Sequence, residues 1–287
     1  MKVFNGILKN IVFKLLEYSL NSASKEQGIN KLKADLKKII PDLNGQYTSF
    51  KIDSGYLINK VRSQHAFQVS LAQNAISLLD DKEIKNPTLV DIGDSSGVHL
   101  LYLNALSKGD GLRTISVNLD PVAIEKIKKK GFKAIQSRAE TLHCHPDFTG
   151  KSDIFLSYEM VEHLFDPVSF LHKMATKNEC NYFVITVPYL HQSRVGLHQV
   201  RHLNKGEDRA FNAETTHIFE LSPNDWDLIF RFSGWRIVKS VRYTQYPKSK
   251  INPLSLLRYI WRKLDFDGFY GVILEKDDSI SKRYQDW

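Results

Sequence analysis

The sequence predicts an α/β protein with a doubly wound, mostly parallel sheet of seven strands and an N-terminal helical extension. From residue 87 onward, short apolar runs alternate with helical patterns, and that alternation indicates βαβ units with helices on both faces of a parallel sheet. The chain has 287 residues, of which 42% are hydrophobic and 25% charged. A chain of this size and composition buries a large core without disulfide or metal staples, and it is not a disordered, collagen-like or coiled-coil protein.

The N-terminal extension is predicted to span residues 1–84 and to act as a lid on the domain that follows. Its predicted elements are helices over residues 1–20, 25–40 and 58–79 and a loop over 41–57. Apolar residues recur at helical spacing through the first of these helices, and lysines interrupt the apolar stretch. The second helix ends before Pro41, which cannot continue it.

The main domain is predicted to span residues 85–276 and to leave 277–287 as a C-terminal tail. Its strands are predicted over residues 88–92, 114–119, 134–135, 153–157, 182–187, 235–243 and 270–275. Its helices are predicted over residues 98–107, 122–130, 167–176 and 222–233. The pattern breaks over residues 188–222, which are rich in His, Arg and Asn. We expect this insertion to form a lid that selects the substrate.

The strongest local signal is a strand that ends in an acid and passes through a glycine-bearing turn into a helix. Residues 89–98 contain Asp91, Gly93, Ser95 and Gly97 in the spacing D-x-G-x-S-x-G. Glycines let the backbone approach a ligand closely, and the helix N-terminus offers free N–H groups. The spacing differs from the dinucleotide fingerprint and from the phosphate loop. An acid at this strand end would repel a pyrophosphate and favours a cation, such as an α-amino group or a sulfonium.

Three further acids follow later strands in chain order. Asp120 ends the second strand, where a carboxylate either accepts hydrogen bonds from vicinal ribose hydroxyls or caps the helix that opens at Pro121. Glu140 follows the third strand. Glu159 follows the fourth strand and opens the run Glu-Met-Val-Glu-His-Leu-Phe-Asp-Pro.

Together these positions resemble the class I S-adenosylmethionine-dependent methyltransferases, from about residue 89 to residue 275. The resemblance implies a Rossmann-like methyltransferase sheet, S-adenosyl-L-methionine as cofactor and methyl transfer as the activity. In that family the strand-end acid and the glycine loop surround the methionine part of the cofactor, and here these are Asp91, Gly93, Ser95 and Gly97. The resemblance also implies that Asp120 binds the ribose, that Glu140 binds the adenine amino group unless it is a solvated loop acid, and that Glu159 lies near the reacting methyl. The family usually has glycine where Ser95 stands.

The acids and the imidazole that follow the fourth strand raise the question of a metal. Glu159, Glu162 and His163 have i, i+3, i+4 spacing, so on a helix they would share one face, and two carboxylates with an imidazole suit a divalent ion. The pattern resembles that of some ubiquinone-pathway methyltransferases that are thought to bind Mg²⁺ there. Many relatives carry Glu-His without a metal and use it to fix the loop. We therefore expect no metal at this site.

Methyl transfer to a hydroxyl is helped by a general base, and histidine is the usual one near neutral pH. His217, in the insertion, and His163 are the candidates, and a surface or capping role is the alternative for each. His191, His198 and His202 are further histidines of the insertion. An Asn/Asp-Pro-Pro-aromatic tetrapeptide, typical of enzymes that methylate amino groups of adenine or glutamine, is absent after the fourth strand. The sequence therefore favours O-methylation of a small-molecule or glycan-type acceptor.

Positive charge is concentrated in two segments. Residues 1–40 hold eight lysines and three acids, and residues 231–263 hold nine Lys or Arg and no acid, in a chain of net charge +8. Segregated charge attracts anionic partners, so we expect a phosphorylated, nucleotide-linked or lipid-linked acceptor, with a solvated face as the alternative. Basic amphipathic helices at 1–20 and 254–263 would add binding to an anionic membrane. Two cysteines and no long apolar run predict a cytoplasmic enzyme. The basic amphipathic helices would place it peripherally at the inner membrane face.

Three other functions compete with this interpretation. A nicotinamide-dependent dehydrogenase would also use Asp120 for a ribose, but Asp91 and the missing G-x-G-x-x-G disfavour it. A nucleic-acid binding or modifying protein would use the aromatics of residues 231–263 for base stacking, although aromatics in a strand usually face the core. The third is a catalytically inactive methyltransferase-like scaffold, for which Ser95 is the argument.

Overall fold

The main sheet has seven strands, as the sequence predicts. A computed structural model describes residues 2–48, 51–52, 54–107, 111–196, 216–249, 251–259 and 266–284. Its strands are β1 (Thr88–Ile92), β2 (Arg113–Asn118), β3 (Lys133–Gln136), β4 (Ile154–Tyr158), β5 (Tyr182–Tyr189), β6 (Arg194–Val195), β7 (Phe219–Glu220), β8 (Trp235–Thr244) and β9 (Gly268–Lys276). The order in the main sheet is β3-β2-β1-β4-β5-β9-β8, in which β9 is antiparallel to both neighbours and the other pairs are parallel. The predicted mostly parallel topology is confirmed.

Helices cover both faces of this sheet. They are α1 (Lys2–Glu26), α2 (Asn30–Ile39), α3 (Gly55–Asp80), α4 (Val98–Leu106), α5 (Pro121–Lys129), α6 (Pro167–Lys177) and α7 (Pro223–Phe232). Side chains alternate along the buried strands, so Leu89 and Leu156 pack with α2, α3 and α4, whereas Val90 and Phe155 pack with α6 and α7. Helical layers on both faces make the sheet doubly wound, as predicted.

The first helix continues beyond its predicted end at residue 20. In its last turns Ser24 is fully buried, and its hydroxyl donates to the Leu20 carbonyl (2.8 Å) and lies 3.3 Å from the Ser63 hydroxyl. Glu26 accepts the backbone N–H of Lys248 at 2.8 Å. These tertiary contacts hold the helix through Asn and Ser residues whose own helix propensity is low.

The third helix packs directly on the sheet and is tied to its neighbours by a buried arginine. Arg62 is 3% exposed. Its guanidinium donates to the carbonyls of Leu36 (3.1 Å) and Pro41 (3.2 Å) and to the hydroxyl of Tyr102 (2.8 Å). The fork geometry of the guanidinium lets one side chain satisfy the end of α2 and a residue of α4 together. The domain boundary at residue 84 stays a prediction.

Part of the predicted loop forms a segment that we call the strap (residues 41–48), which lies against α5 and the loop after β1. The ammonium of Lys126 donates to the carbonyls of Gly45 (2.9 Å) and Tyr47 (2.7 Å). Lys130 donates to the side-chain oxygen of Gln46 (2.8 Å), and the Ser96 hydroxyl donates to the Gln46 carbonyl. The N-terminal extension therefore reaches the glycine-bearing turn that the sequence singled out.

The two later segments of special interest are only partly described. In the insertion, β6 and β7 form a two-stranded antiparallel sheet, and His198 and His202 lie outside the described residues. In the predicted amphipathic helix over 254–263, the first residues belong to a 3₁₀ turn, Pro253–Leu257, capped by Asn252, whose side chain accepts the Leu254 N–H (3.0 Å). Residues 258 and 259 are helical, and 260–263 lie outside the described residues. Among the described helices, none is long and apolar enough to cross a membrane.

Candidate functional site

A cavity of about 720 Å³ opens at the carboxyl ends of β1, β2 and β4. The chain leaves β1 for β2 on one side and returns to β4 on the other, so the strand order reverses at this point. In open α/β sheets, such a reversal leaves a crevice outside the strand ends, and ligands bind there. The topology alone therefore makes this cavity the candidate site.

Most of the site residues predicted from the sequence meet in this cavity. Those that line it are Asp91, Gly93, Ser95, Asp120, Glu140, Glu159, His163 and His217. Gly97 does not line it but is the N-cap of α4, and Glu162 is fully buried next to His163. The structure thus brings the predicted residues together, while their roles toward a ligand stay predictions.

The turn after β1 depends on glycine at two positions. Gly93 has φ +92° and Gly97 has φ +76°, and both values lie in the left-handed region that side chains rarely adopt. A Cβ on Gly93 would also lie only 2.6 Å from Cγ and 3.0 Å from Cβ of Met160. Gly93 is therefore required both by its backbone conformation and by the closeness of the chain after β4.

An acid within the turn braces it from inside. Asp94 accepts the Gly97 N–H at Oδ1 (2.9 Å) and the Ser116 hydroxyl at Oδ2 (3.1 Å). Its carbonyl accepts the side-chain N–H of Asn118 at 2.8 Å. Ser95 is not among the residues with positive φ. The turn therefore needs no glycine at position 95, and the departure from the family pattern is compatible with its shape.

Asp91, at the end of β1, is a buried carboxyl with an unmet hydrogen-bonding capacity. It is 1% exposed, and burial, followed by the nearby Asp94, raises the pKa of its carboxyl well above the usual range. Its Oδ2 has no hydrogen-bond partner and lies 3.8 Å from Nδ1 of His99. A cationic group placed against Asp91 would give that oxygen a partner and stabilise the ionised carboxylate.

A neutral histidine lies behind Asp91. Burial lowers the pKa of His99 to about 3, so its ring is uncharged near neutral pH. Its Nε2 lies 2.8 Å from Oε1 of Gln68, whose Nε2 donates to the Thr186 hydroxyl (3.2 Å). Because the Gln68 oxygen needs a donor, Nε2 of His99 carries the proton and Nδ1 presents a lone pair toward Asp91.

Asp120 and Glu140 line the end of the cavity beyond β2 and β3. Asp120 accepts the Val122 N–H at 2.9 Å through Oδ1 and so caps α5. A carboxylate has a second oxygen, so capping and ligand binding are compatible. Glu140 accepts a hydrogen bond from Arg138 (3.2 Å), and both residues line the cavity.

Two exposed apolar side chains are also part of the cavity wall. Leu119 is 49% exposed and Phe165 is 83% exposed, and both line the cavity. Large apolar groups open to a cavity are typical of binding sites, where a few polar groups fix the orientation of the ligand. These side chains suit a flat, largely apolar ring system such as a nucleobase.

Glu159 has an unusual backbone at the point where β4 ends. Its φ is +50°, which is uncommon for a residue with a side chain, and its N–H donates to the Thr186 carbonyl at 2.9 Å. Burial raises the pKa of its carboxyl, while a hydrogen bond with Thr186 and the charge of Lys60 oppose this. Its Oε1 has no hydrogen-bond partner. Strained backbone of this kind persists where the surroundings enforce it, and it is concentrated at functional sites.

His217 stands in an aromatic corner of the cavity. Its ring stacks on Phe266, with centroids 5.0 Å apart at 27°, and meets the ring of His163 edge-on at 4.7 Å. Burial, followed by the charges of His163 and Lys60, lowers the pKa of His217 to about 3. The Nδ1 of His163 donates to the Thr216 carbonyl at 2.7 Å. His217 is therefore a neutral imidazole held in a fixed orientation at the cavity wall.

A buried carboxylate that the sequence reasoning missed lies behind His217. Glu220 is fully buried, its Oε1 lies 3.8 Å from Nδ1 of His217, and its Oε2 accepts a hydrogen bond from Arg194. The pairing of β6 with β7 brings Arg194 beside Glu220. The spacing His-x-x-Glu was visible in the sequence, but the role of Arg194 depends on the pairing of β6 with β7.

Three groups able to bind a metal converge near the same corner. Glu162, His163 and His217 have ligand atoms within 4.8 Å of one another, and neither carboxylate oxygen of Glu162 has a hydrogen-bond partner. The shared helical face expected for Glu159, Glu162 and His163 is not formed, because Val161–His163 is a 3₁₀ turn. Mg²⁺ prefers oxygen ligands, so one carboxylate and two imidazoles do not fit Mg²⁺.

Much of the remaining wall comes from α3 and the strap, and the sequence reasoning did not identify it. These residues are Tyr47, Lys60, Gln64, His65 and Gln68. The Tyr47 hydroxyl lies 2.6 Å from Nε2 of His65, whose pKa burial lowers well below its usual value. Gln64, His65 and Gln68 are three of many polar residues in α3, so the sequence alone did not distinguish them as site residues.

Solved structures with a similar fold include methyltransferases and a [4+2]-cyclase. A provisionally named sarcosine dimethylglycine methyltransferase from Galdieria sulphuraria is 12% identical, with 86% of this chain and 98% of that chain covered and a TM-score of 0.51. A 1,6-didemethyltoxoflavin-N1-methyltransferase from Burkholderia thailandensis is 13% identical, with 83% and 98% covered and a TM-score of 0.48. No family model and no curated protein matches the sequence. The chain thus has a Rossmann-like methyltransferase fold, and at these identities the likeness concerns the fold alone.

Proposed function

We propose that the protein is an S-adenosyl-L-methionine-dependent methyltransferase that methylates a hydroxyl of a small-molecule or glycan-type acceptor. The observation that carries the proposal is the cavity at the strand ends. It gathers, in chain order, the acids that follow β1, β2, β3 and β4, which is the arrangement that the family resemblance implies.

The residues of the cavity fit this cofactor. Asp91 has a buried oxygen without a hydrogen-bond partner, and the cationic amino group of the cofactor would be that partner. Gly93 leaves the backbone after β1 open to close approach. Asp120 offers a carboxylate oxygen to the ribose hydroxyls. Glu140 offers a hydrogen-bond acceptor to the adenine amino group, and Phe165 offers an apolar surface to the adenine ring.

The acceptor end of the cavity supports transfer to oxygen. When bound, S-adenosyl-L-methionine supplies an electrophilic methyl group on a sulfonium. The chain aligns the acceptor hydroxyl, excludes water and removes the hydroxyl proton. His217 is unprotonated in the free site, because burial lowers its pKa, and in the proposed reaction it takes up that proton at a ring nitrogen. Glu220, whose Oε1 is 3.8 Å from Nδ1, opposes the effect of burial by stabilising the resulting imidazolium.

A positive group at this end favours an anionic acceptor. Lys60, on α3, lines the cavity and lies close enough to Glu159 and His217 to influence the pKa of both. A phosphate or carboxylate on the acceptor would pair with this ammonium. We therefore include a phosphorylated, nucleotide-linked or lipid-linked acceptor in the proposal.

Calorimetric titration of the purified protein tests the cofactor. We expect saturable one-to-one binding of S-adenosyl-L-methionine and of S-adenosyl-L-homocysteine, and no heat with NADH. Incubation with methyl-labelled cofactor and a panel of phenols, sugar phosphates and lipid-linked sugars then tests the acceptor. Absence of binding by either adenosyl compound would overturn the proposal, and binding without transfer to any hydroxyl would favour the inactive scaffold.

The alternative of a nucleic-acid partner loses part of its support. Trp235, Tyr243 and Tyr246 are 1%, 2% and 7% exposed, so these three aromatics of the basic stretch face the core and offer no surface to bases, whereas Phe232 and Tyr259 are exposed. The argument for an inactive scaffold is also weaker, because Ser95 needs no left-handed backbone. The titration with NADH separates the dehydrogenase from the methyltransferase.

Replacing Asp120 with alanine is expected to weaken cofactor binding about 5- to 150-fold, which corresponds to about 1–3 kcal/mol for a lost charged hydrogen-bond acceptor. Asp166→Ala is the matched control, because Asp166 also caps a helix that opens with proline, α6, and does not line the cavity. Both changes should lower the free energy of unfolding by about 1 kcal/mol. If calorimetry gives equal cofactor affinities for the two variants, Asp120 is only a helix cap.

A further inference from the structure

The first helix exposes apolar side chains on the face that points away from the protein. Ile11, Leu15 and Tyr18 are 51%, 41% and 66% exposed, and their spacing of four and three residues sets them along one side of α1. On the other side, Leu16 and Leu20 are buried in a small apolar cluster. The helix is therefore apolar on both sides, although one of them faces solvent.

A second exposed apolar group lies on the segment that follows β8. Ile251, Leu256 and Tyr259 are 94%, 63% and 55% exposed. The segment is attached to α1, because Asn252 donates to the Ser22 hydroxyl at 2.7 Å and Leu257 packs against the cluster of the helix. We call these six exposed residues, three on α1 and three on the segment, the apolar platform. Single exposed apolar residues are ordinary, but a group on two adjoining elements marks an interaction surface.

Positive charge accompanies the apolar platform. Lys14 and Lys25 are exposed on the same side of α1 as the apolar residues, and the guanidinium of Arg258 lies over the ring of Tyr259 at 4.9 Å. The two parts of the sequence that supply the platform, residues 1–40 and 231–263, carry the excess of Lys and Arg over acids. The surface therefore combines apolar, aromatic and cationic groups.

We propose that the apolar platform docks the protein on the surface of an anionic lipid bilayer. Apolar side chains enter the acyl boundary, tyrosines suit the headgroup level, and lysines and arginines meet anionic headgroups. A second copy of the chain would face the same positive charge across the interface, which disfavours a symmetric dimer here. A bilayer is the partner whose charge complements the whole surface.

The helix that carries part of the platform contacts α3 next to a residue of the cavity wall. Phe13 of α1 stacks on Tyr56, the second residue of α3, with ring centroids 5.2 Å apart. The next residue, Leu57, lines the cavity. Docking through the platform would thus hold this edge of the cavity close to the lipid surface, where an amphiphilic or lipid-linked acceptor is found.

Sedimentation with lipid vesicles tests docking with the full chain and without cofactor or acceptor, so its outcome is independent of the proposed methyl transfer. The vesicles are phosphatidylcholine alone and phosphatidylcholine with phosphatidylserine. We expect the protein to sediment with the anionic vesicles, to remain mostly in the supernatant with the neutral ones, and to dissociate as salt is raised.

Substitutions separate the apolar and the cationic contributions. Leu15→Glu is expected to weaken vesicle binding at least about tenfold, since an exposed leucine that would enter the bilayer is replaced by a charge. The double variant Lys14→Glu, Lys25→Glu is expected to weaken it about tenfold or more. Leu228→Glu is the matched control, because Leu228 on α7 is 47% exposed but lies outside the platform, and it should bind like the original protein. Thermal melting verifies that each variant is folded.

Three results would overturn the proposal. The first is protein that stays in the supernatant with both kinds of vesicle at low salt. The second is equal binding to neutral and anionic vesicles, which would remove the role of the charges. The third is a dimer in solution that Leu15→Glu converts to a monomer while neither form binds vesicles, which would make a second copy the occupant of the platform.

Discussion

Replacing Gly93 with alanine is expected to weaken the binding of S-adenosyl-L-methionine about 100-fold or more. The backbone at this position has φ +92°, which costs a residue with a Cβ about 1–2 kcal/mol. The new Cβ would also lie 2.6 Å from Cγ of Met160, and overpacking of this kind costs about 1–3 kcal/mol. Rotation about χ1 could move Cγ, but Cβ of Met160, 3.0 Å from the new Cβ, moves only with its backbone, so the turn must shift out of its binding conformation. Calorimetry of the folded variant measures the effect.

Gly131→Ala is the matched control for this change. Gly131, which follows α5, has φ +85°, but a Cβ there would meet no atom within 4 Å. It should therefore lose about 1–2 kcal/mol of unfolding free energy from backbone strain alone and keep its cofactor affinity. Adding Met160→Ala to Gly93→Ala removes the closest contact and should restore part of the binding. If Gly93→Ala binds as tightly as Gly131→Ala, the turn after β1 does not approach the ligand.

The sequence was sufficient for the sheet because its signals are local. A run such as residues 88–92, apolar and followed by an acid and glycine, needs no distant contact to be identified as a buried parallel strand. Once the strands are parallel, their carboxyl ends share one edge, so Asp91, Asp120 and Glu159 are expected to approach each other. The structure confirms the sheet, and all three acids line one cavity.

The residues that the sequence did not assign to the site come from long-range packing. Lys126 and Lys130 hold the strap against the turn after β1, and no local pattern links a loop near residue 46 to a helix near residue 126. Gln68 and His99 meet only because α3 and α4 pack on the same face of the sheet. Side-chain chemistry of this kind depends on the rotation of each helix, which the hydrophobic pattern fixes only coarsely.

The cavity corner around His217 shows a second reason why the sequence predicts the site only in part. The spacing of Glu159, Glu162 and His163 suggested a common helical face, but the segment forms a 3₁₀ turn after the strained backbone of Glu159. A difference of one turn type redirects every side chain that follows it. The partner that approaches Glu162 and His163 is instead His217, which reaches them from the far end of the insertion.

Replacing His217 with asparagine is expected to lower kcat about 10²- to 10⁴-fold, the usual contribution of a general base. KM for the acceptor and the affinity for S-adenosyl-L-methionine should change little, since asparagine keeps a polar group against Phe266. Glu220→Gln should lower kcat by a smaller factor, because the imidazolium that forms loses the carboxylate whose Oε1 lies 3.8 Å from Nδ1. Steady-state kinetics with the acceptor found in the hydroxyl panel, together with thermal melting, measures both.

His172→Asn is the control for His217→Asn, because His172 is an exposed histidine of α6 that does not line the cavity, and it should leave kcat unchanged. A His217 variant that binds the cofactor and keeps full kcat would show that the proton leaves by another route, with His163 as the neighbouring imidazole. Loss of cofactor affinity in the same variant would instead assign His217 to binding. Comparing kcat with cofactor affinity therefore decides whether His217 is a general base or only a binding residue of the cavity wall. A general base acts in the transition state, so its loss lowers kcat and leaves the affinity unchanged.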